Sequence, residues 1–219
     1  MKRIIDLFFS IIALILLSPL LIPITIILLI TGEHYVFYTH ERIGYGGKPF
    51  KLMKFSTMLK NSPNLGTKDI TVMNDPRVFP FGKFLRRTKI NELPQIINVI
   101  KGDMSLIGPR PLTPRNFSFY PEETKLNIAK LKPGITGIGS IVFRDEEALL
   151  SNFKTTAENF YKLNISPYKG DLESWYLKNK SICLDFKLMA LTVVIIGCPS
   201  FNINSYLKDL PKRPDLIDV

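Results

Sequence analysis

Arg86, Arg87 and Lys89 stand immediately before Asn91 and Glu92, and Arg110 follows between Pro109 and Pro111. Residues of these types at this spacing suit a phosphoanhydride. A helix N-terminus presents unpaired N–H groups and a partial positive charge that favour phosphate oxygens. Arginine adds paired contacts to phosphate. One carboxylate among such cations, Glu92, is a natural ligand for Mg2+ held jointly with a diphosphate, because that ion takes one or two carboxylates plus substrate oxygens. Plainer roles compete: the basic cluster also suits lipid headgroups, and Glu92 also suits a helix dipole. Other chemistries lack their residues. Gly44-Tyr45-Gly46-Gly47 is neither a dinucleotide fingerprint nor a P-loop, and no G-x-S-x-G run is present. His34 and His40 are the only histidines, and Cys183 and Cys198 form neither a metal spacing nor a disulfide framework.

The elements that must position these groups are partly legible. Leu93, Ile96, Ile97 and Ile100 recur at i, i+3, i+4 and i+7, which predicts a helix with one apolar face. Asn91 is its expected N-cap, Pro94 falls in its first turn, and Gly102 closes it. Tyr35–Thr39 and Pro49–Phe55 read as strands around the glycine loop, Asn61–Asp69 as a polar loop, and Pro80–Leu85 as the lead into the basic cluster. Pro121–Leu131, Glu146–Leu163 and Asp171–Gly197 read as helices, with Ile135–Val142 a loop or short strand. Leu188–Ile196 is apolar throughout but too short to span a bilayer, so it suits either a membrane surface or the core. The expected fold class is α+β, mainly helical with short β-strands.

The first thirty residues choose a membrane. From Ile4 to Thr31, 21 of 28 residues are Ile, Leu, Phe or Ala, and 7–30 carry no charge. A helix of 24 residues is about 36 Å long, enough for a hydrocarbon core of about 30 Å. Nothing after it resembles a cleavage site, so the segment is expected to stay. Ser18-Pro19 and Pro23 interrupt it, and proline removes an N–H and clashes with the preceding turn. Two arms are expected, Ile4–Leu17 and Leu20–Ile30, with the Ser18 hydroxyl satisfying a freed carbonyl. Charge is concentrated after them: of the net +10, residues 33–140 carry +9, residues 1–32 carry +1 and residues 141–219 are balanced. Both flanks of the apolar segment are therefore basic, which favours the cytoplasmic side for each. On these grounds a re-entrant helix-break-helix and a kinked spanning helix stand level.

Three stretches are more specific: "ERIGYGGKPFKLMKFSTM", "DPRVFPFGKFLRRTKINELPQIINVIKGDMSLIGPRP" and "KPGITGIGS". With these the chain resembles the bacterial sugar transferases, the small monotopic phosphoglycosyl transferases, over nearly its whole length. The resemblance implies transfer of a sugar 1-phosphate from a UDP-sugar to polyprenyl phosphate, giving polyprenyl diphosphate sugar and UMP with Mg2+ as cofactor. It also implies a re-entrant membrane helix over 1–32 broken at Ser18 and Pro19. A domain over 33–219 would lie on the cytoplasmic face of the bacterial inner membrane through interfacial amphipathic helices. Implied partners are the UDP-sugar, polyprenyl phosphate and membrane lipids, with a homodimer admissible. Nucleic acid is excluded, since no recognition motif accompanies the charge.

By the same resemblance Glu92 matches the Mg2+-binding glutamate of an Asp-Glu pair. Lys54 matches the lysine of a Lys-Phe-Arg-Thr-Met motif in which Ser56 replaces the arginine. Arg86 and Arg110 match basic site residues, and Pro109 and Pro111 the flanks of a rigid turn. Glu173 matches a late aspartate, with a plain surface acid as its alternative. Asn91 occupies the place of the nucleophilic aspartate. An amide does not attack phosphorus usefully, which leaves three readings open: another attacking group, a substitution that stalls the enzyme, or a membrane-anchored homologue that binds UDP-sugar and lipid without turnover.

Overall fold

The computed structural model describes residues 1–62, 75–144, 146, 157–198, 201–203 and 205–214. Lys2–Ile30 form one helix, α1, with Pro19 and Pro23 inside it. Two separate arms are therefore not what the chain adopts. Pro19 lacks the N–H that would reach the Ile15 carbonyl, and the Ser18 hydroxyl donates to that same carbonyl at 2.7 Å, so the turn is held without a break. The Thr25 hydroxyl donates in the same way to the Leu21 carbonyl at 2.8 Å.

The chain divides into two compact units, 1, 3–40 and 51–102 in the first, Lys2, 41–50 and 103–219 in the second. A hairpin of β1 (Phe37–Ile43) and β2 (Pro49–Phe55) turns through a single 3-10 turn at Tyr45–Gly47. The turn needs glycine, since Gly46 and Gly47 take φ of 69° and 73°.

In the first unit, α2 (Pro80–Arg87) packs Leu85 against Phe55 of β2 and against Ile24 and Leu28 of α1. α2 lies so close to the chain after β2 that a Cβ on Gly82 would meet the Thr57 carbonyl oxygen at 2.3 Å. α3 (Gln95–Lys101) follows, and Gly102 closes it in the left-handed conformation, as the sequence predicts. Arg3 donates to the Ile100 carbonyl at 2.8 Å and also to that of Val99, supplying partners for carbonyls at the end of α3. Between Asp6 and Ser10, which are buried, and Ile24, also buried, α1 presents Ile11, Ile15, Leu16 and Ile22 outward.

In the second unit, β3 (Ser105–Ile107) pairs in parallel with β4 (Gly134–Thr136). α4 (Pro114–Ser118) is capped by the Thr113 hydroxyl, and α5 (Glu122–Ala129) and α6 (Ile138–Val142) follow. Ile135–Val142 is thus half strand and half helix. Of the expected helix at Glu146–Leu163, 147–156 lie outside the described residues, as do 63–69 of the expected polar loop. Ala157–Phe160 (α7) passes through a wider turn, Tyr161–Ile165, into α8 (Ser166–Asn179). The expected helix at Asp171–Gly197 is two, because α8 ends at Lys180 and Ser181 caps α9 (Ile182–Gly197) by accepting from the Leu184 N–H at 3.1 Å. α9 divides its apolar residues: Leu188, Leu191 and Ile195 enter the core with Ile138, Ile165 and Leu172, while Val193 and Ile196 remain exposed. The chain is mainly helical with short strands.

Candidate active site

In the first unit the basic cluster and the Asn91-Glu92 pair sit on one short path. α2 ends at Arg87, Lys89 takes the left-handed conformation at φ 58°, and Ile90–Glu92 form a 3-10 turn before α3. Asn91 does not cap α3. Pro94 occupies that position and no side chain caps the helix, because the 3-10 turn places Asn91 too early and turns it inward. Its side chain is buried, and Oδ1 has no hydrogen-bond partner. An unpaired buried amide oxygen costs ~1–3 kcal/mol, so this position is held against its local preference.

Glu92 is partnered. Its Oε1 accepts from Lys54 Nζ on β2 at 2.7 Å, with the two side chains about one fifth exposed. The register of that pair is set by Asn98, a residue the sequence analysis passed over. From α3 its Oδ1 accepts from the Met53 N–H at 2.9 Å and its Nδ2 donates to the Lys51 carbonyl at 2.8 Å. Asn98 thereby serves β2 as a neighbouring strand would. The available signal was a polar residue inside the apolar run 96–100.

Arg86 is half-buried in the last turn of α2, and its charge helps hold the Asp75 carboxyl below the usual range. The main cause there is Arg77, which pairs with buried Asp75 through Nη2 at 2.6 Å and Nε at 2.9 Å and also donates to the Ser62 carbonyl. Ser56, where the resemblance places an arginine, is fully buried with its hydroxyl unpaired.

The second unit holds Arg110 and Glu173. Pro109 and Pro111 are buried and Arg110 is exposed between them. Their turn is pressed against the backbone of β4: the Gly108 N–H donates to the Thr136 carbonyl at 3.0 Å and the Gly134 N–H to the Pro109 carbonyl at 2.8 Å. A Cβ at Gly134 or Gly137 would stand 2.2 or 2.1 Å from Gly108 backbone atoms, so glycine is required at both.

Glu173 is no surface acid. It is 5% exposed, and it accepts from the backbone N–H groups of Gly139 and Arg110. Burial pushes its carboxyl up to about 7, against the opposing pull of the Lys169 charge and those two N–H groups. Lys169, one turn earlier, is also buried. It pairs with Glu146 at 2.6 Å and lies over the rings of Phe143 and Tyr161. Desolvation depresses its pKa, with Glu146 opposing. Lys169 was legible only as the i−4 neighbour of Glu173. Tyr120 and Tyr161 meet hydroxyl to hydroxyl at 3.4 Å, and burial raises both.

Lys54, Asn91 and Glu92 are thus brought together in one unit with Arg86 close along the chain, and Pro109, Arg110, Pro111 and Glu173 in the other. α1 is mostly exposed and is long and apolar enough to cross a membrane by length and composition, which points to membrane association. The chain belongs to the bacterial sugar transferase family, whose profile matches residues 1–198. It is 31% identical over 210 residues to an undecaprenyl-phosphate galactose phosphotransferase of Salmonella typhimurium, covering 90% of this chain and 40% of that protein. It is 36% identical over 196 residues to the UDP-glucose:undecaprenyl-phosphate glucose-1-phosphate transferase of Escherichia coli, covering 88% and 39%. A putative undecaprenyl-phosphate N-acetylgalactosaminyl 1-phosphate transferase of Bacillus subtilis is 44% identical over 113 residues, 52% of this chain and 63% of that one. The chain spans about two fifths of the length of the Salmonella and Escherichia relatives.

Proposed function

We propose that the protein transfers a sugar 1-phosphate from a UDP-sugar to polyprenyl phosphate at a membrane surface. The observation that carries this is the Lys54–Glu92 pair, with half-buried Arg86 six residues earlier in the chain than Glu92, on a chain whose relatives bear the names of that reaction. An oxygen of the lipid phosphate attacks the β-phosphorus of the UDP-sugar. The bond from that phosphorus to the bridging oxygen breaks, UMP leaves with the oxygen, and the sugar–phosphate bond is kept. Arg86 and Lys54 supply cations that bind and orient phosphate oxygens, and Arg110 is a phosphate-binding residue of its own unit.

The donor set suits Mg2+. Glu92 offers a carboxylate, and the neighbouring Asn91 Oδ1 is a buried oxygen without a partner. Glu92 and Asn91 would hold the ion together with substrate oxygens, and when bound it neutralises charge on the diphosphate.

Direct displacement is the favoured route, since Asn91 offers an amide, which does not attack phosphorus usefully. The topology is monotopic. In support, residues at both ends of α1, Arg3 on one side and Ile24 and Leu28 on the other, meet the first unit, and the exposed stretch lies between them.

Incubating the protein in nanodiscs with undecaprenyl phosphate, Mg2+ and a panel of UDP-sugars tests the proposal through UMP release. Direct displacement gives sequential kinetics and no adduct on the intact protein. Asn91→Asp would open a two-step route with a phosphosugar adduct visible by mass spectrometry. An adduct on the Asn91 protein would reassign the nucleophile to Glu92. Nucleotide binding without UMP from any donor, in either form, would leave a non-catalytic homologue, the reading Asn91 itself favours.

A further inference from the structure

We propose that Glu173 is a positioning residue, whose carboxylate oxygen fixes the Arg110 turn by accepting from the main-chain N–H groups of Arg110 and Gly139. The proposal rests on Arg110 binding the diphosphate. Glu173 Oε2 has no hydrogen-bond partner, so both N–H groups converge on Oε1. That oxygen also lies 2.5 Å from where a Cβ on Gly139 would be. With 5% of the residue exposed, the carboxyl is shut away from a substrate. What it touches is the backbone of the exposed arginine between two prolines.

The charge of Glu173 is not what this role uses. Among the described residues no cation makes an ion pair with it. Lys169, the nearest cation on its own helix, is engaged by Glu146 at 2.6 Å. The charged and titratable groups around it are Lys169, Glu146, Arg110 and Tyr120, and none neutralises it at contact. An acceptor in the Oε1 position is therefore sufficient. The second peptide on that oxygen, Gly139, ties the arginine turn to α6, so Glu173 joins α8, α6 and the 108–111 turn at one atom. An arginine moved by an ångström loses in-line contact with a diphosphate, which costs on the order of 100-fold in rate.

The test uses the full chain in nanodiscs, with kinetics and hydrogen–deuterium exchange read side by side. In a peptide spanning 108–111, Gly108 supplies the terminal amine and Pro109 and Pro111 carry no N–H, which isolates the Arg110 amide. Glu173→Gln keeps a carbonyl oxygen at the Oε1 position, so protection at Arg110 and Gly139 should persist and kcat/KM should stay within about three-fold. Glu173→Ala should deprotect those two amides and lower kcat/KM about 100-fold. In an Arg110→Ala background it should cost nothing further. Gly139→Ala, whose Cβ displaces Oε1, should reproduce Glu173→Ala. A Glu173→Gln variant as damaged as Glu173→Ala would mean the charge is needed and would overturn the proposal. So would unchanged exchange at Arg110 in Glu173→Ala, or a rise in exchange spread across the chain. If the wild-type protein releases no UMP, the transferase reading fails, and the exchange arms still decide the positioning role.

Discussion

Glu173→Gln should change how stability depends on pH, in a direction the structure fixes. Burial raises the Glu173 carboxyl from 4.5 to about 7. Between those values the folded protein holds a proton that the unfolded chain has lost, so folding is favoured. That contribution is fully present below 4.5 and is lost as pH rises through about 7. The whole shift corresponds to roughly 3 kcal/mol, and the part lost from pH 5 to 8.5 to roughly 2–3 kcal/mol. Glutamine does not titrate, so the variant lacks this loss. Lys169, depressed by burial, contributes with the opposite sign as its own range is crossed, but it is common to both proteins and cancels to first order in the difference. Thermal unfolding followed by the fluorescence of Trp175, the chain's single tryptophan and 9% exposed, reads the effect. Wild type should lose ~5–10 °C relative to Glu173→Gln over that interval. Curves that stay parallel from pH 5 to 8.5 would refute the reasoning, because they would mean that water reaches the carboxyl in the fold.

Arg77→Met leaves Asp75 buried without its partner and should cost ~3–5 kcal/mol, measured by chemical unfolding; the wild-type pair itself should weaken only as pH falls below the ordinary carboxylate range, since the Asp75 value is lowered. Arg110→Lys keeps the charge and loses the paired geometry, so kcat/KM for the UDP-sugar should fall at least ten-fold with melting temperature nearly unchanged. For topology, Cys183 and Cys198 are exposed and must first be replaced by serine. Lys2→Cys and His40→Cys should then both be protected from an impermeant thiol reagent added outside intact cells, and labelling of position 2 alone would refute the monotopic arrangement.

The parts of this chain that were legible in its sequence are those governed by local rules. The apolar face at 93–100, the left-handed close at Gly102, the strand at Pro49–Phe55 and the Ser18 hydroxyl on the carbonyl freed by Pro19 follow from periodicity, backbone sterics and neighbouring hydrogen bonds. Failures came where a distant backbone decides. Asn91 has every local reason to cap a helix, yet a left-handed Lys89 and a 3-10 turn place it one element too early and bury its oxygen unpaired. Asn98 looks like a blemish in an apolar run and is the residue that sets β2 against α3. Glu173 reads as a solvated acid on a polar helix until α6 and the 108–111 turn close over it. For Asn98 and Glu173 a polar side chain takes the place of a missing main-chain partner, a role with no periodicity and therefore no sequence signature. The glycines give the nearest thing to one. Gly134 and Gly137 mark where two backbones touch, and Gly139 marks where a carboxylate oxygen needs the space of a missing Cβ. A glycine-rich stretch that looks like a loosely built loop thus brings two backbones into close contact, and it gives the exposed Arg110 a fixed base.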